Sequence, residues 1–179
     1  MNTGKLSLQA VPEEGLDLIL DDLPEWRDAL EEFHLNCRFD VPIRASVFVK
    51  AEEEGVLLRG RFTAKVALPC DRCAEGSHYT LDETFAAFEP YPGDAPQDDE
   101  ERDESIVYML PKNKGIEVNA AALVWQEFSL ALPVKPLCDK ACKGLCPVCG
   151  SNLNTETCTC ERSGTDPRLA PLRGFKSSK

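Results

Sequence analysis

The longest regular pattern in this chain is an alternation of apolar and polar residues on both sides of a short acidic turn. Apolar residues or glycine occupy every second position from Phe39 to Val49 and from Val56 to Leu68, and Glu52–Gly55 separates the two runs. An alternation of period two is typical of a β-strand with one buried face, and a glycine-containing turn between two such runs predicts a hairpin. Pro42 lacks an amide hydrogen, so we expect its strand to lie at an edge of the sheet.

Shorter patterns predict further strands and two helices around this hairpin. One helix is predicted to begin near Pro24, and a second to run from Ala120 to about Ala131, capped by Asn119 and ended by Pro133. The second helix should pack across the sheet and lead the chain back to Cys70 and Cys73. The other predicted strands are 5–10, 16–20, 77–88, 106–110 and 116–118, of which the last two should return to the same sheet.

These elements predict an α+β fold class. We expect mainly antiparallel β-sheet or a partly open barrel with one long packing helix, plus a small C-terminal Cys-rich zinc ribbon. The predicted core covers residues 1–137 and includes two helices and a disordered acidic loop near 89–104, where prolines and acidic residues accumulate. Residues 138–179 are predicted to form a Cys-rich zinc-binding segment and a basic tail, with one helical turn near 166–172.

The charge of the 179-residue chain restricts how it could bind nucleic acid. Its formal net charge is −11, and a generic nucleic-acid coat would instead be rich in Lys and Arg. Basic residues are concentrated in the C-terminal region and on the polar face of the hairpin, which is either a local RNA contact or an ordinary solvated strand face. The hairpin candidates for RNA binding are Arg44, Arg59, Arg61 and Lys65.

The N-terminal sequence and the lengths of the apolar runs bear on location. The first residues contain no apolar signal region, and no apolar run approaches membrane-spanning length. We therefore expect a cytoplasmic protein with no membrane partner, in which thiols stay reduced and short-spaced cysteines are better suited to metal than to disulfides.

Eight of the nine cysteines are candidate metal ligands. They occur in closely spaced pairs, a spacing typical of structural zinc, whereas Cys37 is isolated and is predicted to be a small buried hydrophobic residue. The eight candidate ligands are Cys70, Cys73, Cys138, Cys142, Cys146, Cys149, Cys158 and Cys160.

The spacing favours two zinc ions but leaves other arrangements open. The pair Cys146 and Cys149 and the pair Cys158 and Cys160 together predict a zinc-ribbon site. The remaining four, Cys70, Cys73, Cys138 and Cys142, would tie the end of the hairpin to the end of the long helix. Alternatively, one ion is bound by Cys142, Cys146, Cys149 and either Cys158 or Cys160, or the chain binds a single ion at one of the two sets. An iron–sulfur cluster and disulfides are the lesser interpretations.

The same residues argue against an enzyme. Catalytic zinc keeps an open position and usually has histidine or carboxylate ligands, whereas these ligands are thiolates and the chain has only His34 and His78. His78 could substitute as a ligand, but an ordinary strand residue is the better interpretation. Cys70 and Cys73 lack the preceding aromatic residue and helix start of a thioredoxin-like redox motif.

Four stretches occur in a characteristic order: Leu68–Cys73 after a basic hairpin, Ala131–Cys138, Cys142–Asn154 and Asp166–Leu172. In this order they resemble the YceD-like large ribosomal RNA subunit accumulation proteins. The resemblance covers most of residues 38–172 and implies a non-enzymatic role in accumulation or processing of 23S ribosomal RNA during large-subunit assembly. It carries over no catalytic residues and no metal ligands.

Three functional hypotheses follow. The first is a zinc-stabilised assembly factor that contacts the precursor large subunit through 23S ribosomal RNA, a basic ribosomal protein or both, with no small-molecule substrate. The acidic N-terminal helix and the loop 89–104 would suit the protein partner. The second is a thiol redox or metal-dependent enzyme, and the third is a zinc-ribbon protein-interaction adaptor unrelated to ribosomes.

Overall fold

The computed structural model describes residues 4–92, 106–110 and 115–161, and the long hairpin is its largest unit. Strand β3 (Arg38–Ala51) pairs antiparallel with β4 (Gly55–Pro69). The register shifts between Phe39 and Val41 and again between Val41 and Arg44. Pro42 lies within this irregularity, and β2 pairs with β3 only from Arg44 to Val49, so β3 is locally an edge at Pro42 although it is an interior strand further along. The hairpin prediction is confirmed, and Pro42 lies where no regular ladder bond is needed.

A four-stranded antiparallel sheet forms around the hairpin. Strand β2 (Leu16–Asp21) pairs with β3, and β5 (Gly76–Pro90) pairs with β4 along its whole length. The order is β2-β3-β4-β5, and in the described part of the chain this sheet does not close into a barrel. The α+β, mainly antiparallel prediction is confirmed in its open-sheet form.

A second, three-stranded sheet is formed by short strands from both ends of the core. It contains β1 (Lys5–Ser7), β6 (Val107–Met109) and β7 (Ile116–Asn119), in the order β1-β7-β6. The expectation that 106–110 and 116–118 return to the hairpin sheet is therefore wrong. Periodicity identifies a strand but not its partner, and here β7 pairs with the N-terminal β1. The predicted first strand is also shorter, because Leu8–Ala10 forms a 3₁₀ turn.

Two α-helices begin where the sequence predicted. Helix α1 (Pro24–Glu32) has Pro24 in its first turn, where the missing amide hydrogen costs no helical bond. Helix α2 (Ala120–Ala131) is capped by Asn119, whose Oδ1 accepts a hydrogen bond from the Ala122 amide at 3.1 Å. Among the described helices, none is long and apolar enough to cross a membrane.

The core lies between the inner face of the four-stranded sheet and α2. Phe128 of α2 is 0% exposed, and its ring centroid is 5.4 Å from that of Phe39 and 6.4 Å from that of Phe62. Helix α1 joins the same core, because the Trp26 indole Nε1 donates to the Ala121 carbonyl at 3.0 Å. These contacts place the end of α2 beside the end of the hairpin, where the cysteines lie.

Two sequence predictions fall largely outside the described residues. Strand β5 continues to Pro90, and most of the predicted acidic loop at 89–104 lies in the undescribed 93–105. The predicted helical turn near 166–172 and the basic tail also lie outside the described residues. The division of the chain at residue 137 stays a prediction.

Candidate metal centres and the outer sheet face

The first pair of cysteines lies in the tight turn that joins β4 to β5. The Cys70 amide donates to the Glu75 carbonyl at 2.7 Å, and the Ala74 amide donates to the Cys70 carbonyl at 2.8 Å. The Asp71 amide donates to the Pro136 carbonyl at 2.8 Å, which holds the chain leaving α2 against this turn. The hydrogen bonds of the turn therefore bring Cys138 to Cys73.

The first group of four thiols, the core cluster, consists of Cys70, Cys73, Cys138 and Cys142, whose Sγ atoms lie within 4.8 Å of one another. The sulfur atoms of Cys70 and Cys142 are 3.8 Å apart, and those of Cys73 and Cys138 are 3.6 Å apart. Cys138 is exposed, but the other three are buried. This cluster fastens the segment after α2 to the end of the hairpin.

The second group, the ribbon cluster, consists of Cys146, Cys149, Cys158 and Cys160, whose sulfur atoms also lie within 4.8 Å of one another. Gly150 has φ +78°, a conformation that glycine adopts readily, and its amide donates to the Cys146 carbonyl at 2.9 Å. Cys146 is buried, whereas the other three thiols are exposed or half-buried. The ribbon cluster is therefore the more accessible of the two.

Both groups have the hydrogen bonds that thiolate ligands need. In each cluster a backbone amide two residues further along donates to a cysteine sulfur: Arg72 to Cys70 at 3.5 Å and Val148 to Cys146 at 3.4 Å. A hydrogen bond from the backbone amide of Cys138 is the main cause that lowers the pKa of Cys70 to about 6. The Ser151 hydroxyl is the main cause that lowers the pKa of Cys149 to about 6.

The remaining thiols show why a cation suits these clusters. Hydrogen bonding with Cys73 raises the pKa of Cys138 to about 12, and hydrogen bonding with Cys158 raises the pKa of Cys160 to about 12. Thiolates this close repel one another, and a divalent cation between them removes that repulsion. Four sulfur donors fit a closed, tetrahedral structural site. Each cluster could hold one metal ion.

The two clusters have the same members as the sets derived from spacing. Cys142 lies with Cys70 and not with Cys146, which is the arrangement opposite to the alternative division. Metal binding by the eight residues stays a prediction.

Sequence reasoning missed two side chains that position the core cluster. The Arg72 guanidinium donates from Nη1 to the Cys142 carbonyl at 2.8 Å, and the Arg72 carbonyl accepts from the Leu145 amide at 2.9 Å. Tyr79 of β5 donates from its hydroxyl to the Leu137 carbonyl at 3.0 Å and accepts from the Leu137 amide at 2.6 Å. Tyr79 lies within the predicted strand 77–88, and nothing local to the sequence indicates its bonds to residue 137.

Replacing Tyr79 with phenylalanine tests the role of this hydroxyl. The variant keeps the ring but removes both hydrogen bonds to Leu137, and we expect it to lower the free energy of unfolding by about 1–2 kcal/mol. Urea unfolding followed by tryptophan fluorescence measures the change. Tyr91→Phe is the matched control, since the Tyr91 hydroxyl bonds the exposed Glu52 carbonyl. An equal loss in both variants would contradict the assigned role.

The register places the predicted RNA-binding residues on one side of the sheet, the outer face. Arg44 lies opposite Thr63 and Arg61 opposite Ser46, so Arg44, Arg61, Arg59 and Lys65 all project away from the core. Two of these four side chains already form ion pairs: Arg44 with Asp21 and Arg61 with Asp82, each with an N–O distance of 2.5 Å.

The other two outer-face candidates make no ion pair among the described residues. The Arg59 guanidinium lies 4.6 Å from the ring centroid of Phe48 and makes a cation–π contact with it. Lys65 is exposed on β4. The outer face is thus less basic than the alternation alone suggests, and Arg59 and Lys65 are its available cations.

His78 and Cys37 lie away from both clusters. His78 projects from the outer face, where its Nδ1 lies 2.6 Å from Asp40 Oδ2, and this hydrogen bond holds the pKa of Asp40 below its usual value. Cys37 is half-buried, and burial raises the pKa of its thiol to about 11, so it stays protonated and unreactive. Neither residue is placed to act as a ligand of the described thiol groups.

An open antiparallel sheet, a packed helix and two groups of four thiols define an α+β protein with two candidate metal centres. A family model described as large ribosomal RNA subunit accumulation protein YceD matches residues 58–176. The chain belongs to the YceD family.

The chain is also similar to individual proteins, two of which carry the name of this family. The chain is 26% identical over 158 residues to large ribosomal RNA subunit accumulation protein YCED homolog 1, chloroplastic, of Arabidopsis thaliana, covering 75% of this chain and 49% of that protein. The homologue of the same name in Zea mays is 26% identical over 156 residues, covering 74% and 53%. An uncharacterized protein of Mycobacterium tuberculosis is 30% identical over 124 residues, covering 69% and 57%.

The extent of these matches is limited. The chain spans about half the length of the curated relatives it matches. No solved structure matches the chain.

Proposed function

We propose that this protein is a non-enzymatic ribosome biogenesis factor that supports accumulation or processing of 23S ribosomal RNA and assembly of the large subunit. The observation that carries the proposal is membership of the YceD family over residues 58–176, whose description names accumulation of large-subunit ribosomal RNA. The partner in this proposal is the precursor large subunit, and the site of action is the cytoplasm.

The metal in this proposal is zinc, one structural ion in each cluster. All-thiolate sites with short ligand spacing are typical of structural zinc, and zinc contributes no redox chemistry of its own. The core cluster would fasten the Cys-rich segment to the hairpin, and the ribbon cluster would fold the segment that leads to the basic tail. In this role the metal organises a binding surface and leaves no open position for a substrate.

The RNA-contacting surface in this proposal is the outer face around Arg59 and Lys65. Arg59 is preorganised because its guanidinium makes a cation–π contact with Phe48, and it stays exposed and able to contact a phosphate or a base. Arg44 and Arg61 would contribute by exchanging Asp21 and Asp82 for phosphate, at the energetic cost of breaking those ion pairs. Because the whole chain carries −11, RNA contact would be confined to this face and the basic tail.

Reversing one cation on the outer face tests this surface. We expect Arg59→Glu and Lys65→Glu each to reduce co-sedimentation with precursor large subunits in sucrose gradients by roughly tenfold, since each replaces a phosphate contact with repulsion. The effect should shrink as salt is raised. Arg27→Glu is the charge-matched control, because Arg27 lies on α1 and pairs with Asp22.

The same gradients separate the two versions of the partner. Loss of association only in the outer-face variants supports RNA contact there. If Arg59→Glu and Lys65→Glu sediment like the unsubstituted chain, the outer-face surface is wrong. Association that is instead lost when Glu25 and Asp28 of α1 become lysine would assign the contact to a basic ribosomal protein.

A further inference from the structure

One side chain of the ribbon segment contacts a sulfur atom of the core cluster. Asn154 lies between Cys149 and Cys158, two residues of the ribbon cluster, and its Nδ2 donates to the Sγ of Cys142 at 3.3 Å. Cys142 is buried and belongs to the core cluster. A donor carried by one cluster therefore bonds a ligand atom of the other.

The Asn154 side chain is held in this orientation by its other contacts. Its Oδ1 accepts from the Lys143 amide at 2.8 Å, and its Nδ2 also lies 2.8 Å from Asn152 Oδ1. The Asn154 amide donates to the same Asn152 oxygen at 3.0 Å. The amide group of Asn154 is thus aimed at the sulfur, and its nitrogen and oxygen cannot be exchanged without losing the Lys143 bond.

The position of this loop depends on the ribbon cluster. Its base is a short pairing in which the Cys146 amide donates to the Ser151 carbonyl at 2.8 Å and the Leu153 amide donates to the Gly144 carbonyl at 2.9 Å. Its two ends carry Cys149 and Cys158, whose sulfur atoms are 3.6 Å apart. If the ribbon thiols were not held together, the loop would be held by its hydrogen bonds alone, and Asn154 would be less firmly fixed.

We propose that Asn154 couples the two clusters, so that metal held in the ribbon cluster strengthens metal binding in the core cluster. The inference rests on the proposed zinc occupancy of both clusters. An N–H donor stabilises the negative charge of a coordinating thiolate, and loss of such an outer contact typically weakens metal binding by about 10–100-fold. Since coupling between two binding sites is reciprocal, metal in the core cluster also strengthens binding in the ribbon cluster.

The test uses zinc release from the full chain to a chromogenic chelator. The zinc-loaded chain should contain two ions and release them in two phases, of which Cys158→Ser removes the ribbon phase and so identifies the core phase. We expect core zinc to leave about tenfold faster in Cys158→Ser than in the unsubstituted chain. Asn154→Ala should accelerate the core phase to a similar extent, although the loaded variant should still contain two zinc ions before release begins.

The combined variant shows whether the two effects share one route. Asn154→Ala together with Cys158→Ser should release core zinc no faster than either single variant. Asn154→Asp keeps the acceptor for the Lys143 amide and the size of the side chain but removes the N–H donor, so it should accelerate release as much as Asn154→Ala. Thr157→Ala, at an exposed position of the same loop, should leave both phases unchanged.

Each outcome has one meaning. A chain isolated without zinc overturns the proposed zinc occupancy. Two bound ions with a core phase unchanged in Asn154→Ala and Asn154→Asp overturn the coupling and leave the zinc sites intact. Multiplied rates in the combined variant overturn Asn154 as the route between the clusters.

Discussion

Replacing Cys73 with serine is expected to empty the core cluster and to detach the Cys-rich segment from the end of the hairpin. Cys73 is only 4% exposed and its sulfur lies 3.6 Å from that of Cys138, so no other side chain can take its place without rearranging the turn. A serine hydroxyl stays protonated and is a poor zinc ligand. Loss of a structural metal is among the few single changes that cost about 4 kcal/mol or more of stability.

Two measurements follow this variant. The zinc content found by elemental analysis should fall from the proposed two ions per chain to one, and urea unfolding followed by tryptophan fluorescence should show the loss of stability. Amide exchange should accelerate at Leu145, whose N–H donates to the Arg72 carbonyl only while the segment is docked.

Cys37→Ser is the matched control for Cys73→Ser. Cys37 is half-buried beside the core and lies outside both clusters, so this change should keep two zinc ions and lower stability by about 1 kcal/mol. A Cys73→Ser chain that retains two ions and the stability of the Cys37→Ser control would show that the core cluster is not a metal site.

Replacing Phe128 with alanine is expected to have the largest effect of any change in the sheet–helix core. The side chain is 0% exposed and contacts the rings of Phe39, Phe62 and Trp125, with centroid distances of 5.4, 6.4 and 5.3 Å. Removing it leaves a cavity between α2 and the hairpin, which in comparable cores costs about 3–5 kcal/mol. Urea unfolding of the zinc-loaded chain measures this loss.

Phe33→Ala is the control for the same chemical change at the surface. Phe33 follows α1 and is 61% exposed, so its truncation should change the free energy of unfolding by only about 0.5 kcal/mol. Equal losses in the two variants would contradict the packing of α2 against the hairpin. The zinc content should be unchanged in both variants, since Phe128 belongs to the sheet–helix core and Phe33 lies at the surface.

The local elements could be predicted from the sequence because each depends on neighbouring residues. Period-two alternation predicted β3 and β4, and Asn119 with Pro133 predicted the limits of α2. The spacing of the thiols similarly led to the two groups that the structure brings together. Within each pair the two sulfur atoms are close because the chain between them is short. The sequence left open only which two pairs share a site.

Contacts between distant segments were not predictable in this way. The short strands β6 and β7 join β1 and not the hairpin sheet, because strand pairing is a contact between segments far apart in the sequence, here Lys5–Ser7 with Glu117–Asn119. The cations of the outer face were predicted as one basic surface, but Asp21 from β2 and Asp82 from β5 neutralise Arg44 and Arg61. Those acidic residues are separated from the arginines by many positions in the sequence and become neighbours only across the sheet.

The sequence by itself determined which residues alternate into the core, where the helices begin, and that eight cysteines occur in pairs suited to metal. Tertiary structure alone decided that Tyr79 and Arg72 hold the segment after α2, and that Asn154 of the ribbon reaches Cys142 of the core cluster. The physical reason is range. Periodicity and ligand spacing depend on residues that are close in the sequence. These hydrogen bonds, in contrast, exist only after the sheet, α2 and the Cys-rich segment have packed together.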